Sequence, residues 1–214
     1  MISHRHKFVF IHIPKTAGSS IESTLKKNTD CKNLKGCFND SDLKTCPFCP
    51  PSWSIKHKPF YLLNEEIKKY YSFGFVRNPW DLVVSSFHWW LKSKRPRWVH
   101  RGMKNLLKEV NFDNFIRSDM KHYLNQMDHK NYGQLFWLQS ESGVEVDFIG
   151  RFENLQEDFN TVCDKIGIPK QQLPHKNKSK HKSYTEYYDD DETREIVAEI
   201  YAKDIEYFGY EFGE

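Results

Sequence analysis

FVFIHIPKTAGSSIE, residues Phe8 to Glu22, runs through a mainly apolar stretch, Phe8 to Ile13 with His12 inside it, and then breaks at Pro14 into a short loop of small and hydroxyl residues. The run from Phe8 to Ile13 reads as a buried strand, because a strand covered on both faces shows apolar residues without alternation. Lys15-Thr16-Ala17-Gly18-Ser19-Ser20 reads as a tight loop, and the amphipathic segment from Ile21 as a helix. A strand, a tight loop and a helix N-terminus in that order aim backbone N–H groups and a positive helix end at an anion. Lys15 adds a full charge, and Thr16, Ser19 and Ser20 add hydroxyl donors. The GxxxxGK[ST] pattern of the Walker loop is absent, yet the stretch is a phosphate or sulfate cradle of the same physical kind. An ordinary strand-to-helix turn needs neither the lysine nor three hydroxyls.

A second motif lies further along the chain: Phe75-Val76-Arg77-Asn78-Pro79-Trp80-Asp81-Leu82-Val83-Val84-Ser85-Ser86. Tyr71 to Val76 read as another buried strand, and Pro79 opens a helix at its favoured first position. Arg77 therefore ends a strand, with Ser85 inside the following helix. Arginine offers a planar fork to a phosphate and serine a hydroxyl donor. Pairing of Arg77 with Asp81, with Ser85 merely small and packed, is the structural alternative.

The remaining pattern alternates strands with helices. The first strand covers residues 7–13 and a helix residues 19–27. Further helices are expected at 64–70, from Pro79 to about 92, at 103–109 and at 112–120, and a short strand at Asp147 to Gly150. Leu155, Phe159, Val162 and Ile166 recur at helical spacing before Gly167 and Pro169 stop them. Asp190 or Asp191 caps a last helix with Ile196, Val197, Ile200, Tyr201 and Ile205 on its inner face. This order implies an α/β class, a P-loop-like three-layer fold with a central, mainly parallel sheet flanked by helices. The ligand then belongs beyond the carboxyl ends of the strands, where Lys15 and Arg77 both emerge.

The 214 residues suit one domain, 1–214, with a substantial core. Hydrophobic content is 38% and mean hydropathy −0.75, and no apolar run approaches a membrane span. The N-terminal MISHRHKFVF shows no secretory signal, so a cytoplasmic location is expected. Net charge is +3, unevenly spread. Lys92 to Lys108 and Lys170 to Lys182 are basic runs without acids, while acids gather at Asp189 to Glu192. Such patches suit small anionic ligands or an acidic substrate. No nucleic-acid module is present to favour that alternative. Cys31, Cys37, Cys46 and Cys49 fall within a Cys-rich insertion at 28–55. CPFC at 46–49 has the spacing of a zinc knuckle or a redox pair, and the wider Cys31–Cys37 gap leaves zinc, disulfides and unlinked thiols all open. Cys163 reads as a buried apolar residue.

Together, FIHIPKTAGSS and FVRNPWDLVVSSF resemble the sulfotransferases that use 3′-phosphoadenosine 5′-phosphosulfate (PAPS), in particular the carbohydrate-type, heparan 2-O-sulfotransferase-like branch with its small bacterial or viral members. Asp147-Phe148-Ile149-Gly150-Arg151-Phe152-Glu153-Asn154-Leu155, the basic loop Asn177-Lys178-Ser179-Lys180-His181-Lys182 and the closing stretch Tyr201 to Phe212 extend the likeness. The resemblance implies that Lys15, Thr16, Ala17, Gly18, Ser19 and Ser20 hold the 5′-phosphosulfate. It implies that Arg77 and Ser85 hold the 3′-phosphate, with Lys178, Ser179 and Lys180 contacting the nucleotide. It also implies PAPS as cosubstrate, 3′-phosphoadenosine 5′-phosphate (PAP) as product, and residues 92–140 as the acceptor region. Leu82 departs from the pattern, since many relatives carry arginine there.

Sulfuryl transfer is a matter of in-line positioning and charge stabilisation on the leaving oxygen. Lys15 is the natural group for that oxygen, and the scheme requires no metal. The acceptor hydroxyl needs a base. By family position that is His57, whose neighbours Lys56 and Lys58 favour the neutral imidazole. His12 reads as a hydrogen-bonded core histidine. His88, before Trp89 and Trp90, reads equally as part of an acceptor cleft or as aromatic packing. The expected acceptor is a carbohydrate or small metabolite, with neither nucleic acid nor membrane as partner. The rival readings are an ATP-dependent kinase and a non-catalytic module that binds acidic polymers on the same fold.

Overall fold

Phe8, Val9, Phe10 and Ile11 are all buried, and burial on both faces makes this segment an interior strand. The computed structural model describes residues 1–28, 59–92, 111–120, 133–140, 142–174 and 182–214. The chain divides into two compact units, Met1–Arg77 with Tyr132–Lys178 and Asn78–Asn131 with Ser179–Glu214. The strands are β1 (Ile2–Ser3), β2 (Phe8–Ile11), β3 (Tyr71–Val76), β4 (Gln139–Ser140), β5 (Gly143–Val144) and β6 (Phe148–Arg151). The longer helices are α1 (Gly18–Asn28), α2 (Pro79–Lys92), α3 (Leu155–Ile166), α4 (Asp191–Ile200) and α5 (Ala202–Phe208).

In the first unit the sheet order is β1-β2-β3-β6. β2, β3 and β6 are mutually parallel, with Phe10 opposite Phe73 and Phe75 opposite Gly150, and β1 adds an antiparallel edge. Side chains alternate across the strands. Phe8, Phe10, Phe73 and Phe75 share a core with Ile21 and Leu25 of α1 and with Phe159, Val162 and Cys163 of α3. On the other face, a Cβ at Gly74 would come within 2.6 Å of Leu138 Cδ2. The missing side chain thus lets the helical turn Leu135–Leu138 settle on the strand. The sheet is mainly parallel and covered by helices, the α/β arrangement the alternation implies.

Details differ from the sequence expectation. The first strand covers Phe8–Ile11 rather than 7–13, because His12 leaves the ladder to pair with Glu22 at 2.9 Å. The strand near 147 runs from Phe148 to Arg151, and Asp147 instead accepts hydrogen bonds from the Ser72 N–H and hydroxyl, both at 2.7 Å. The helix expected at 64–70 is the turn Glu65–Lys68, capped by Asn64. The two-residue β1 and the β4–β5 hairpin have no counterpart in the expected elements, since pairs this short carry no periodic signal. α3 ends where expected, at Gly167 in the left-handed conformation.

Cys163 lies within this core, and burial pushes its thiol up to about 11. The thiolate is the reactive form. We therefore expect Cys163 to resist alkylation at pH 8 in the folded protein and to react once denaturant is added, as read by peptide mass spectrometry. Fast labelling of native Cys163 would show that the α3 face opens readily.

In the second unit, α2 begins at Pro79. Asn78 Oδ1 accepts the Trp80 N–H at 3.1 Å, and Asn78 Nδ2 donates to the Glu211 carbonyl at 2.9 Å. Asp190 caps α4 by accepting the Thr193 N–H at 2.8 Å. The last helix is not continuous: it breaks at Tyr201 into α4 and α5. Thr193, Val197, Tyr201, Asp204 and Phe208 keep helical spacing across the break and are all buried. The helix expected at 112–120 is α-helical only over Phe112–Asn114 and continues as a π-helix to Met120. Cys31, Cys37, Cys46, Cys49 and the helix expected at 103–109 lie outside the described residues. Among the described residues no helix is long and apolar enough to cross a membrane.

Candidate active site

β2 and β3 are parallel neighbours, so the chain leaves both at the same edge of the sheet, after Ile11 and after Val76. Both anion motifs therefore begin side by side within the first unit, at the carboxyl ends of the strands. In the loop after β2, Lys15 (φ 69°) and Ala17 (φ 64°) adopt left-handed backbone on either side of Thr16. Alternation of backbone hand turns successive N–H groups to one side and forms an anion-binding concavity. Left-handed backbone costs a non-glycine residue about 1–2 kcal/mol, and two such residues in one loop mark a segment the fold holds under strain.

The Thr16 side chain is fully buried and its hydroxyl donates to the Ile13 carbonyl at 3.0 Å, bracing the loop from inside. The N–H groups of Ser20 and Ile21 both bond to the Ala17 carbonyl, at 2.9 and 3.3 Å, and close the first turn of α1. The N–H groups of Gly18 and Ser19 have no acceptor among the described residues, as expected at a helix start. The first turn of α1 holds no acid, and its last turn holds Lys26 and Lys27. The helix thus has charge complementing its negative end and leaves its positive end open.

Gly18 is set by what lies beneath it. A Cβ there would fall 2.1 Å from His12 Nε2. The His12 ring cannot easily yield: it is buried, its Nδ1 pairs with the buried Glu22 carboxylate at 2.9 Å, and it stacks on Phe10 with centroids 5.7 Å apart. His12 is thus the hydrogen-bonded core histidine the sequence suggests, and it also floors the loop.

Arg77 is 6% exposed. Its Nη1 donates to the Lys15 carbonyl at 3.1 Å, and its guanidinium lies 3.9 Å above the centre of the Phe152 ring. Its backbone is gripped by the Gln134 amide, which accepts from the Arg77 N–H at 2.8 Å and donates to the Arg77 carbonyl at 2.7 Å. Lys15 through Ser20 and Arg77 are therefore brought together.

Ser85 sits in α2 of the second unit, 5% exposed, and its hydroxyl has no hydrogen-bond partner among the described residues. His57, Lys178, Ser179 and Lys180 lie outside the described residues. His88 bonds to the Tyr187 hydroxyl at 2.7 Å and packs edge-on against it. Sequence reading missed Glu22, Gln134 and Phe152. Glu22 stands one helical turn beyond Gly18, a spacing that a search for partners of His12 could have used. Gln134 carries no local signal.

The sulfotransferase family profile matches residues 1–211. A protein of Archaeoglobus fulgidus without an assigned function is 32% identical over 121 residues, covering 56% of this chain and 85% of its own. Carbohydrate sulfotransferase 14 of Danio rerio is 22% identical over 188 residues, covering 79% of this chain and 48% of its own, and that of Mus musculus is 23% identical over 194 residues, covering 79% and 46%. The chain thus spans about half the length of these carbohydrate sulfotransferases. A crystal structure of mouse sulfotransferase SULT7A1 complexed with PAP aligns with a TM-score of 0.46 at 15% identity, over 95% of this chain and 85% of that one. With the profile running through both anion motifs and on almost to the last residue, this chain belongs to the sulfotransferase family, whose sulfate donor is PAPS.

Proposed function

We propose that this protein transfers the sulfuryl group of PAPS to a hydroxyl of a carbohydrate or small-molecule acceptor. The observation that carries the reading is the hydrogen bond from Arg77 Nη1 to the Lys15 carbonyl at 3.1 Å, which joins a cationic fork to a loop of converging N–H groups. One end of that arrangement suits a phosphosulfate and the other a phosphate, the two anionic ends of one nucleotide. The names of the mouse and fish relatives favour a carbohydrate acceptor.

In this reading the N–H groups around Ala17, Gly18 and Ser19, with Ser20 beside them, receive the 5′-phosphosulfate, and Thr16 keeps their loop in shape. Arg77 receives the 3′-phosphate. Ser85 joins it by the family motif alone, as Lys178, Ser179 and Lys180 join the nucleotide. The acceptor oxygen attacks sulfur in line as the bond from sulfur to the bridging phosphate oxygen breaks. Lys15 stabilises the negative charge that develops on that oxygen, and PAP leaves. His57 takes the acceptor proton as general base.

Calorimetric titration of PAP into the purified protein tests the donor site. Micromolar binding, about −8 kcal/mol, is expected, with no requirement for magnesium. Absence of binding would move the weight to a module that holds acidic polymers, and magnesium-dependent ATP turnover would favour a kinase. His57→Ala is expected to retain PAP binding while turnover falls by about two to four orders of magnitude. A variant that still turns over at the parental rate would remove His57 from the mechanism.

A further inference from the structure

Gln134 is 2% exposed, uncharged and distant in sequence from both anion motifs. Its side-chain amide exchanges two hydrogen bonds with the backbone of Arg77, accepting at 2.8 Å and donating at 2.7 Å. This is the pair of bonds that one residue of a facing antiparallel strand would make. The neighbouring strand cannot make them, because the β3–β6 ladder ends with Val76 opposite Arg151. A primary amide is the side chain that carries both a donor and an acceptor at one end, so Gln134 extends the sheet by one residue at the point where Arg77 begins.

We propose that Gln134 is a positioning residue for recognition of the donor's 3′-phosphate. It fixes the Arg77 backbone, so that the guanidinium, laid over Phe152 and tied to the Lys15 carbonyl, stands preset for that phosphate. The inference rests on the assignment of Arg77 to the 3′-phosphate. Gln134 acts through Arg77, whose backbone it holds on both sides.

The test compares PAP with adenosine 5′-phosphate, which lacks only the 3′-phosphate, by competition binding to wild type, Gln134→Glu, Gln134→Ala and Arg77→Ala, with thermal melting alongside. Gln134→Glu keeps the shape and the acceptor for the Arg77 N–H but sets a carboxylate oxygen against the Arg77 carbonyl. Gln134→Ala leaves both backbone groups unpaired. In each Gln134 variant the preference for PAP over adenosine 5′-phosphate is expected to fall by about tenfold, while affinity for adenosine 5′-phosphate holds. Equal weakening of both ligands, an unchanged preference, or failure of both variants to fold overturns the inference and leaves Gln134 a structural residue. If Arg77→Ala keeps the preference, the assignment of Arg77 itself falls, and the role of Gln134 with it. If Arg77→Ala loses it while the Gln134 variants keep it, only the Gln134 inference falls.

Discussion

Arg77→Ala is expected to weaken PAP binding by at least about a hundredfold while the protein still folds. Hydrogen bonds to charged groups contribute roughly 1.5–3 kcal/mol each, and an arginine fork supplies two, so a loss of about 3 kcal/mol or more follows, with 1.4 kcal/mol per factor of ten. The side chain also braces the loop through the Lys15 carbonyl and covers Phe152, so some loss of stability accompanies the loss of affinity. Arg77→Lys separates charge from shape. An ammonium keeps the charge but cannot reach a phosphate with a planar fork while also holding the loop carbonyl. Its affinity should fall between wild type and Arg77→Ala in calorimetric titrations. If Arg77→Ala binds PAP as tightly as wild type, the 3′-phosphate lies elsewhere.

Gly18→Ala carries the second large effect. At a helix start, alanine is the better helix former by up to about 1 kcal/mol, which alone would stabilise the protein. The new Cβ, however, would stand 2.1 Å from His12 Nε2, and the ring is held by Glu22 and Phe10. Overpacking against a constrained side chain costs about 1–3 kcal/mol, so the clash outweighs the propensity gain. A fall in melting temperature of several degrees is expected, at about 2–4 °C per kcal/mol for a chain of this size. PAP affinity should fall further, because the loop rather than the ring has room to move. The double variant His12→Ala with Gly18→Ala should lose less stability than the sum of its parts, since the ring that causes the clash is gone. Additive losses, or a Gly18→Ala protein that melts and binds like wild type, would show that His12 does not floor the loop.

The two strands that frame the site were legible because burial on both faces leaves an unbroken apolar run, as in Phe8 to Ile11 and Phe73 to Val76. The starts of α1 and α2 were legible from a small-residue loop and from Pro79. The last helix was read as continuous, because its apolar spacing passes through Tyr201 without a breaker, and the buried residues Thr193, Val197, Tyr201, Asp204 and Phe208 keep helical spacing across the break, so the pattern carries no sign of it. The π-helical stretch Phe115–Met120 likewise follows an unremarkable sequence.

What the sequence by itself determined is local: which segments are strands, where they stop, and which residues stand at their ends. Strand burial, loop chemistry and helix starts are properties of neighbouring residues, and so Lys15, Gly18 and Arg77 could be named from the chain alone. Only the tertiary structure decided which of these groups meet. The Arg77 guanidinium reaches the Lys15 carbonyl because β2 and β3 lie parallel, with Phe10 beside Phe73. That register is chosen by the whole core around it. Gln134 reaches the Arg77 backbone because the turn after it packs Leu138 over Gly74. Such contacts join residues far apart in the chain, and they form only when the buried surfaces of several elements are satisfied together, which no local pattern can encode.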